Sequence, residues 1–254
     1  MKEFTKDNLN VKIYKDALEL GKSAADFTAQ TLKKAIDKKG VANLILATGA
    51  SQFTFLESLK KQEIDWNKIT VFHLDEYKGI SDQHPASFRK YLKERILDEV
   101  KPKKIHFLNG DAESIQAEIG NYETLLKNHE IDIACIGIGE NGHIAFNDPP
   151  VADFNDTKLV KVVVLDEACR QQQLGEGWFP TLEDVPKEAL TLTVPAIMRS
   201  KVISCVVPDQ RKAKAVHDAL YNKIDTSCPA SILRKHAAAH LLLDEAAASL
   251  LTEV

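Results

Sequence analysis

The feature that most restricts the fold is a set of short apolar runs that do not alternate with polar residues. They are ANLILA at 42–47, ITVFHL at 69–74, IDIACIG at 131–137, KVISCVV at 201–207 and HLLLD at 240–244. A strand with one wet face shows period-two alternation, whereas a near-continuous run belongs to a strand covered on both faces, as in a parallel sheet. KIHFL at 104–108 and LVKVVVL at 159–165 add two further strands. Between the runs lie segments with helical character. Residues 17–38 space their apolar side chains at three and four, with Gly40 as a C-terminal stop. FTFLESLKK after residue 52, 85–97 with Pro85 near its start, 111–128 and 209–221 read the same way. The alternation predicts an α/β fold, a mostly parallel sheet with helices on both faces. With no repeat, low-complexity tract or long linker, residues 1–254 read as a single domain.

Charge narrows the partners. A net charge of −4 gives no broad attraction to nucleic acid or to a membrane, so an anionic ligand must be held by local groups. The N-terminal MKEFTKDNLN has no apolar core segment and nowhere do eighteen apolar residues run together, so a soluble, cytoplasmic protein is expected. Cys135, Cys169, Cys205 and Cys228 lack CxxC spacing and read as reduced core residues.

Ligands of open α/β sheets sit beyond the carboxyl ends of the strands, which directs attention to four places. Thr48-Gly49-Ala50-Ser51 stands between a strand and a helix, where small residues let backbone N–H groups approach a phosphate; an ordinary turn with Ser51 as N-cap is the competing reading. His73, Asp75 and Glu76 close another strand. Asp75 is a candidate base for removing a proton beside a carbonyl, against a plain loop-capping role or a His73–Asp75–His84 metal site whose spacing fits no standard signature. Gly137 to Gly142 matches GxGxxG, but the two prolines of FNDPPVADFND forbid the helix that a dinucleotide site requires, so NAD binding is rejected. The glycines, Gly139 among them, instead let the loop pass close to a small ligand, beside His143, a candidate acid/base with Asn141 and Asp148 nearby, against the default reading of a lone His as a satisfied structural histidine. Finally, Arg211 and Lys212 stand at a helix start, where the dipole disfavours cations unless an anion is present; Lys214 reads as a solvated face.

Taken in order, the TGAS turn, LDEY followed by HPASF, GIGENGHIAFNDP, VPKEALTLT and the basic segment after Val207 resemble the glucosamine-6-phosphate deaminase family, whose Rossmann-like fold is shared with 6-phosphogluconolactonases. LDEY and GHIAFN favour the deaminase branch over the lactonase branch. The resemblance implies amino-sugar metabolism: glucosamine 6-phosphate and water give fructose 6-phosphate and ammonia, with no metal or organic cofactor. It gives Asp75 the proton transfer between C2 and C1, and His143 the ring opening. The phosphate falls to Gly49, Ala50 and Ser51 with Lys212 or its neighbour Arg211, and Arg170 stands where the family often places a phosphate-binding arginine. Two positions depart from the family pattern. Asn141 replaces an Asp, removing a carboxylate that would support an imidazolium, and Asp148 replaces a Glu, shortening its reach by one methylene. A 6-phosphogluconolactonase-type hydrolase and a non-catalytic sugar-phosphate sensor are the alternatives, and a homo-oligomer is left open as a partner.

Overall fold

A computed structural model describes residues 1–252. In chain order its strands are β1 (Lys2–Lys6), β2 (Leu9–Tyr14), β3 (Ala42–Leu46), β4 (Ile69–His73), β5 (Asp75–Tyr77), β6 (Lys104–His106), β7 (Ile133–Ile136), β8 (Val160–Val164), β9 (Glu188–Leu192), β10 (Val202–Val207) and β11 (Ala239–Asp244). Eight form one sheet in the order β1-β2-β11-β10-β7-β3-β4-β6, parallel throughout except for the edge hairpin β1–β2.

The apolar runs are explained by two-sided burial. Along β3, Leu44 and Leu46 pack into one core layer and Ile45 into the other; along β7, Ile133 and Cys135 face the first layer, Ala134 and Ile136 the second. Side chains alternate across a strand, so a strand buried on both faces is apolar at nearly every position. The first layer is completed by helix Ala17–Lys39, which starts at Asp16, whose carboxylate accepts from the N–H groups of Leu18 and Glu19. It stops at Gly40, held in the left-handed region at φ 80°. All four cysteines are free and buried.

Two features depart from the expected parallel pattern. The polar N-terminus supplies the β1–β2 edge hairpin, which no apolar run announces. The strand expected at 159–165 does not enter the main sheet: β8 pairs antiparallel with β9, and β9 with β5, in a second three-stranded sheet. Its own small core of Tyr77, Phe88, Phe146, Val163, Cys169, Phe179 and Ala189 separates it from the main layers.

The strand order fixes where a ligand can enter. From β3 the chain moves outward through β4 to β6, then returns to place β7 on the other side of β3 and continues to β10 and β11. The connections therefore diverge between β3 and β7, and a crevice opens beyond the carboxyl ends of those strands.

Candidate active site

That crevice is a cleft of about 380 Å³. Its wall is built from strand ends: Ala47 to Ser51 after β3, Leu74 and Asp75 after β4, Gly137 to Gly139 and His143 after β7, Pro208, Asp209, Arg211 and Lys212 after β10, and Asp244 at the end of β11. Thr48, Gly49, Ala50, Ser51, Asp75, Gly139, His143, Arg211 and Lys212 thus share one cavity.

After β3, Gly49 adopts φ 97°, a region that side chains rarely occupy, and starts a single 3-10 turn before helix Phe53–Leu59. No side chain caps this end. Ser51, read above as a possible N-cap, instead accepts a hydrogen bond on Oγ from Gln52 Nε2 at 3.0 Å. The Gly49 carbonyl is pinned from outside the cleft by the Tyr91 hydroxyl at 2.8 Å.

The β4 end divides its acidic pair between two tasks. Glu76 is fully buried and accepts from Ser87 Oγ (2.8 Å), from the N–H groups of Phe88 and Arg89 (3.1 and 3.0 Å) and from the Arg89 guanidinium (3.2 Å). It braces the chain behind the site. Asp75 emerges on the opposite face of β5, 6 % exposed and on the cleft wall. Burial, with the Glu76 charge adding to it, raises its pKa well above the ordinary aspartate value. His73 does not join it: the chain leaves β4 at His73 and enters the second sheet at Asp75, so His73 stays in the core against Phe107. Burial lowers its pKa to about 3, which keeps it neutral. His84 stacks on Phe179, and among the described residues His73, Asp75 and His84 form no metal-binding group.

After β7 the glycine loop folds on itself. The Gly139 N–H donates to the His143 carbonyl at 2.9 Å, and Gly142 N–H to the Gly139 carbonyl at 3.0 Å, with Gly142 at φ 86°. No helix follows until residue 167, which agrees with the rejection of dinucleotide binding. The His143 ring lies over Gly139, and its Nδ1 is 2.8 Å from Asp148 Oδ1, a short contact that is off the axis of an aligned hydrogen bond. Burial acts to raise the Asp148 pKa, but contacts from His143, Asn141 and Cys169 outweigh it and hold the carboxyl below its ordinary value. The shortened side chain therefore still reaches the imidazole.

Asn141 is off the cleft wall. Its Oδ1 accepts from the His143 N–H at 3.0 Å, while its Nδ2 donates to Asp148 Oδ1 at 3.0 Å and lies 3.4 Å from Asp166 Oδ2. A carboxylate at this position would crowd two others, whereas the amide donates to both. His143, Asp148 and Cys169 lie within 4.8 Å of one another and could in principle offer three metal ligands. However, Nδ1 and Oδ1 are already in contact at 2.8 Å, and burial raises the Cys169 pKa so that the thiol keeps its proton.

The two cations after β10 differ. Arg211 is half-exposed and engaged, with Nη2 2.9 Å from Asp209 Oδ2 and Nη1 3.7 Å from Glu140. Lys212 is 5 % exposed and makes no hydrogen bond or ion pair within the described residues; burial lowers its pKa. Asp209 holds the strained φ of 89° that aims this segment, with its N–H on the Asp244 carboxylate at 3.1 Å. Lys214 is exposed and pairs with Asp218.

Arg170 stands apart from the other candidates. It lies outside the cleft, its guanidinium held by the carbonyls of Leu182 and Val185, which it ties to helix Glu167–Gly175. The same segment sends Gln172, Gln173 and Glu176 into the cleft wall instead. Sequence reasoning missed these three, and also Asp244, although its place at the end of HLLLD marked it by the strand-end rule.

Comparison with known proteins agrees with the architecture. The family described as glucosamine-6-phosphate isomerases/6-phosphogluconolactonase matches residues 15–242. A glucosamine-6-phosphate deaminase of Exiguobacterium sibiricum is 38 % identical over 237 residues, covering 93 % of this chain and 92 % of the relative. One of Lactobacillus delbrueckii subsp. bulgaricus is 33 % identical over 243 residues, covering 96 % and 100 %. Among solved structures, a monomeric glucosamine-6-phosphate deaminase superposes with a TM-score of 0.86 at 34 % identity, covering 94 % of this chain and 99 % of that one. A 6-phosphogluconolactonase from Shewanella baltica reaches 0.77 at 18 % identity over 92 % and 96 %, a likeness of fold alone. With a match across nine-tenths of its length and relatives above 30 % identity along nearly all of it, the chain belongs to the glucosamine-6-phosphate isomerase/6-phosphogluconolactonase family.

Proposed function

We propose that the protein is an amino-sugar 6-phosphate deaminase that converts glucosamine 6-phosphate and water to fructose 6-phosphate and ammonia. The observation that carries this reading is that Asp75 and His143 stand on one cleft wall with an uncapped glycine turn and a buried lysine that has no ion pair among the described residues. The family relationship supports it.

In this reading the phosphate rests on the backbone of Gly49 to Ser51 and is met by Lys212, whose ammonium makes no hydrogen bond or ion pair among the described residues. Arg211, neutralised by Asp209 and Glu140, contributes less. His143, oriented by Asp148, moves the proton that opens the sugar ring. Asp75 then takes the proton from C2 and returns it to C1 while the C1 carbonyl oxygen is protonated to a hydroxyl, which leaves an iminium at C2; water adds to C2, and departure of the nitrogen as ammonia leaves the C2 ketone. A carboxylate with a raised pKa is a stronger base than a solvated one, suited to a carbon acid.

The test is ammonia release from glucosamine 6-phosphate, with Asp75→Asn expected to lower kcat by about 10²- to 10⁴-fold. Unchanged turnover in Asp75→Asn removes the assigned base. Hydrolysis of 6-phosphogluconolactone without ammonia release from the amino sugar overturns the reaction itself.

A further inference from the structure

One side chain on the cleft wall has half of its hydrogen-bonding capacity fixed from behind and the other half unused. Gln173 is 6 % exposed and lines the cleft. Its Oε1 accepts from the hydroxyl of Tyr77 at 2.7 Å, and Tyr77 is fully buried among Phe88, Phe146 and Phe179. This bond settles which way the amide points. With the amide reversed, the phenol hydrogen would face an NH2 group and become an orphan donor in an apolar pocket, a cost that the observed orientation avoids. Burial raises the Tyr77 pKa well above its ordinary value, so that hydrogen is always present. The Gln173 amide nitrogen, which has no partner among the described residues, is left on the cleft side.

Its place relative to the base follows from the strand. Asp75 and Tyr77 are two apart on β5 and point to the same face, about 7 Å apart along the strand. Gln173 is anchored to the second of these and lines the same cleft as the first. Its neighbour Gln172 docks the same helix by accepting from the Glu140 N–H at 2.9 Å, so the helix is tied both to β5 and to the loop that carries His143.

We propose that Gln173 is a specificity-determining residue: its NH2, aimed by the Tyr77 hydroxyl, donates a hydrogen bond to the C3 or C4 hydroxyl oxygen of the open-chain sugar whose C2 faces Asp75. Tyr77 acts through Gln173 as a positioning residue. The inference rests on the deaminase reading of the site.

The test compares kcat/KM for glucosamine 6-phosphate and for its 3-deoxy and 4-deoxy analogues. Gln173→Met keeps side-chain length and removes the donor; Gln173→Glu keeps the acceptor that Tyr77 needs and removes the donor. Each is expected to lower kcat/KM for the full substrate by about 10- to 100-fold. One of the two deoxy analogues should bring the wild-type protein down to the level of the variants, and should cost the variants nothing more. Tyr77→Phe should cost about three- to tenfold with Gln173 present and less than about twofold in the Gln173→Met background. A merely structural role would not erase the difference between substrates. Variants within twofold of wild type on every substrate, or a deoxy penalty of the same size whatever stands at position 173, overturn the role while leaving the deaminase in place. A wild-type protein that releases no ammonia overturns the reaction and this role together.

Discussion

Gly139→Ala tests the geometry of the site with a single methyl group. Gly139 does not have a positive φ, so alanine suits the backbone, and the effect of the change is confined to the space the new Cβ must occupy. That space is filled by His143: the added carbon would lie 2.1 Å from Cε1, 2.2 Å from Nε2 and 2.4 Å from Cδ2 of the ring. Ordinary contact begins near 3.4 Å, so the imidazole must retreat by about 1.3 Å. It cannot retreat cheaply, because its Nδ1 already lies 2.8 Å from a fully buried Asp148 that is held in turn by Asn141. Either the ring leaves Asp148 or the glycine loop shifts, and overpacking of this kind costs about 1–3 kcal/mol of stability. A misplacement near 1 Å of an acid/base group is worth about 10²-fold in rate. Gly139→Ala should therefore lower kcat/KM for ammonia release by about two orders of magnitude, with a modest fall in Tm measured by calorimetry. A variant with wild-type kcat/KM and wild-type Tm would refute the placement of His143 over this glycine and its role with it.

Other expectations follow from the same wall. Lys212→Met should raise KM by about 10- to 100-fold while leaving Tm equal or higher, since a buried, unpaired ammonium is costly to the fold; inorganic phosphate should raise the Tm of the wild type and not of the variant, and equal shifts would count against Lys212 as the anion contact. Because burial raises the Asp75 pKa, the folded state disfavours its carboxylate. Stability owed to this group is complete below the unfolded value near about 4 and is lost as pH rises through the raised folded value. The Tm of Asp75→Asn relative to wild type should thus grow with pH, while wild-type kcat/KM rises on an acid limb above the ordinary aspartate range; a limb near pH 4 would contradict the raised value. Arg89→Met should destabilise by about 3–5 kcal/mol in urea unfolding, because it strands the buried Glu76 carboxylate; an unchanged midpoint would show that the Ser87 and backbone donors suffice.

The sequence by itself determined that a mostly parallel sheet forms and where its inner strands run. A strand buried on both faces is apolar along nearly its whole length, and ANLILA, IDIACIG and KVISCVV state this requirement locally. It also placed Asp75, His143 and the turn at 48–51 at strand ends, so their meeting in one cleft needed only the strand order. Tertiary structure alone decided the rest, because an apolar run records that a segment is buried but not which segment pairs with it. LVKVVVL reads like an inner strand, yet β8 leaves Val164 63 % exposed and pairs antiparallel in the second sheet. KEFTK carries no apolar signal, and β1 is fixed at the sheet edge by its hairpin partner β2. Helix Glu167–Gly175 holds Arg170 and Gln173 three residues apart. Its docking through Tyr77 and Glu140, both distant in the chain, turns the glutamine into the cleft and leaves the arginine to the carbonyls of Leu182 and Val185.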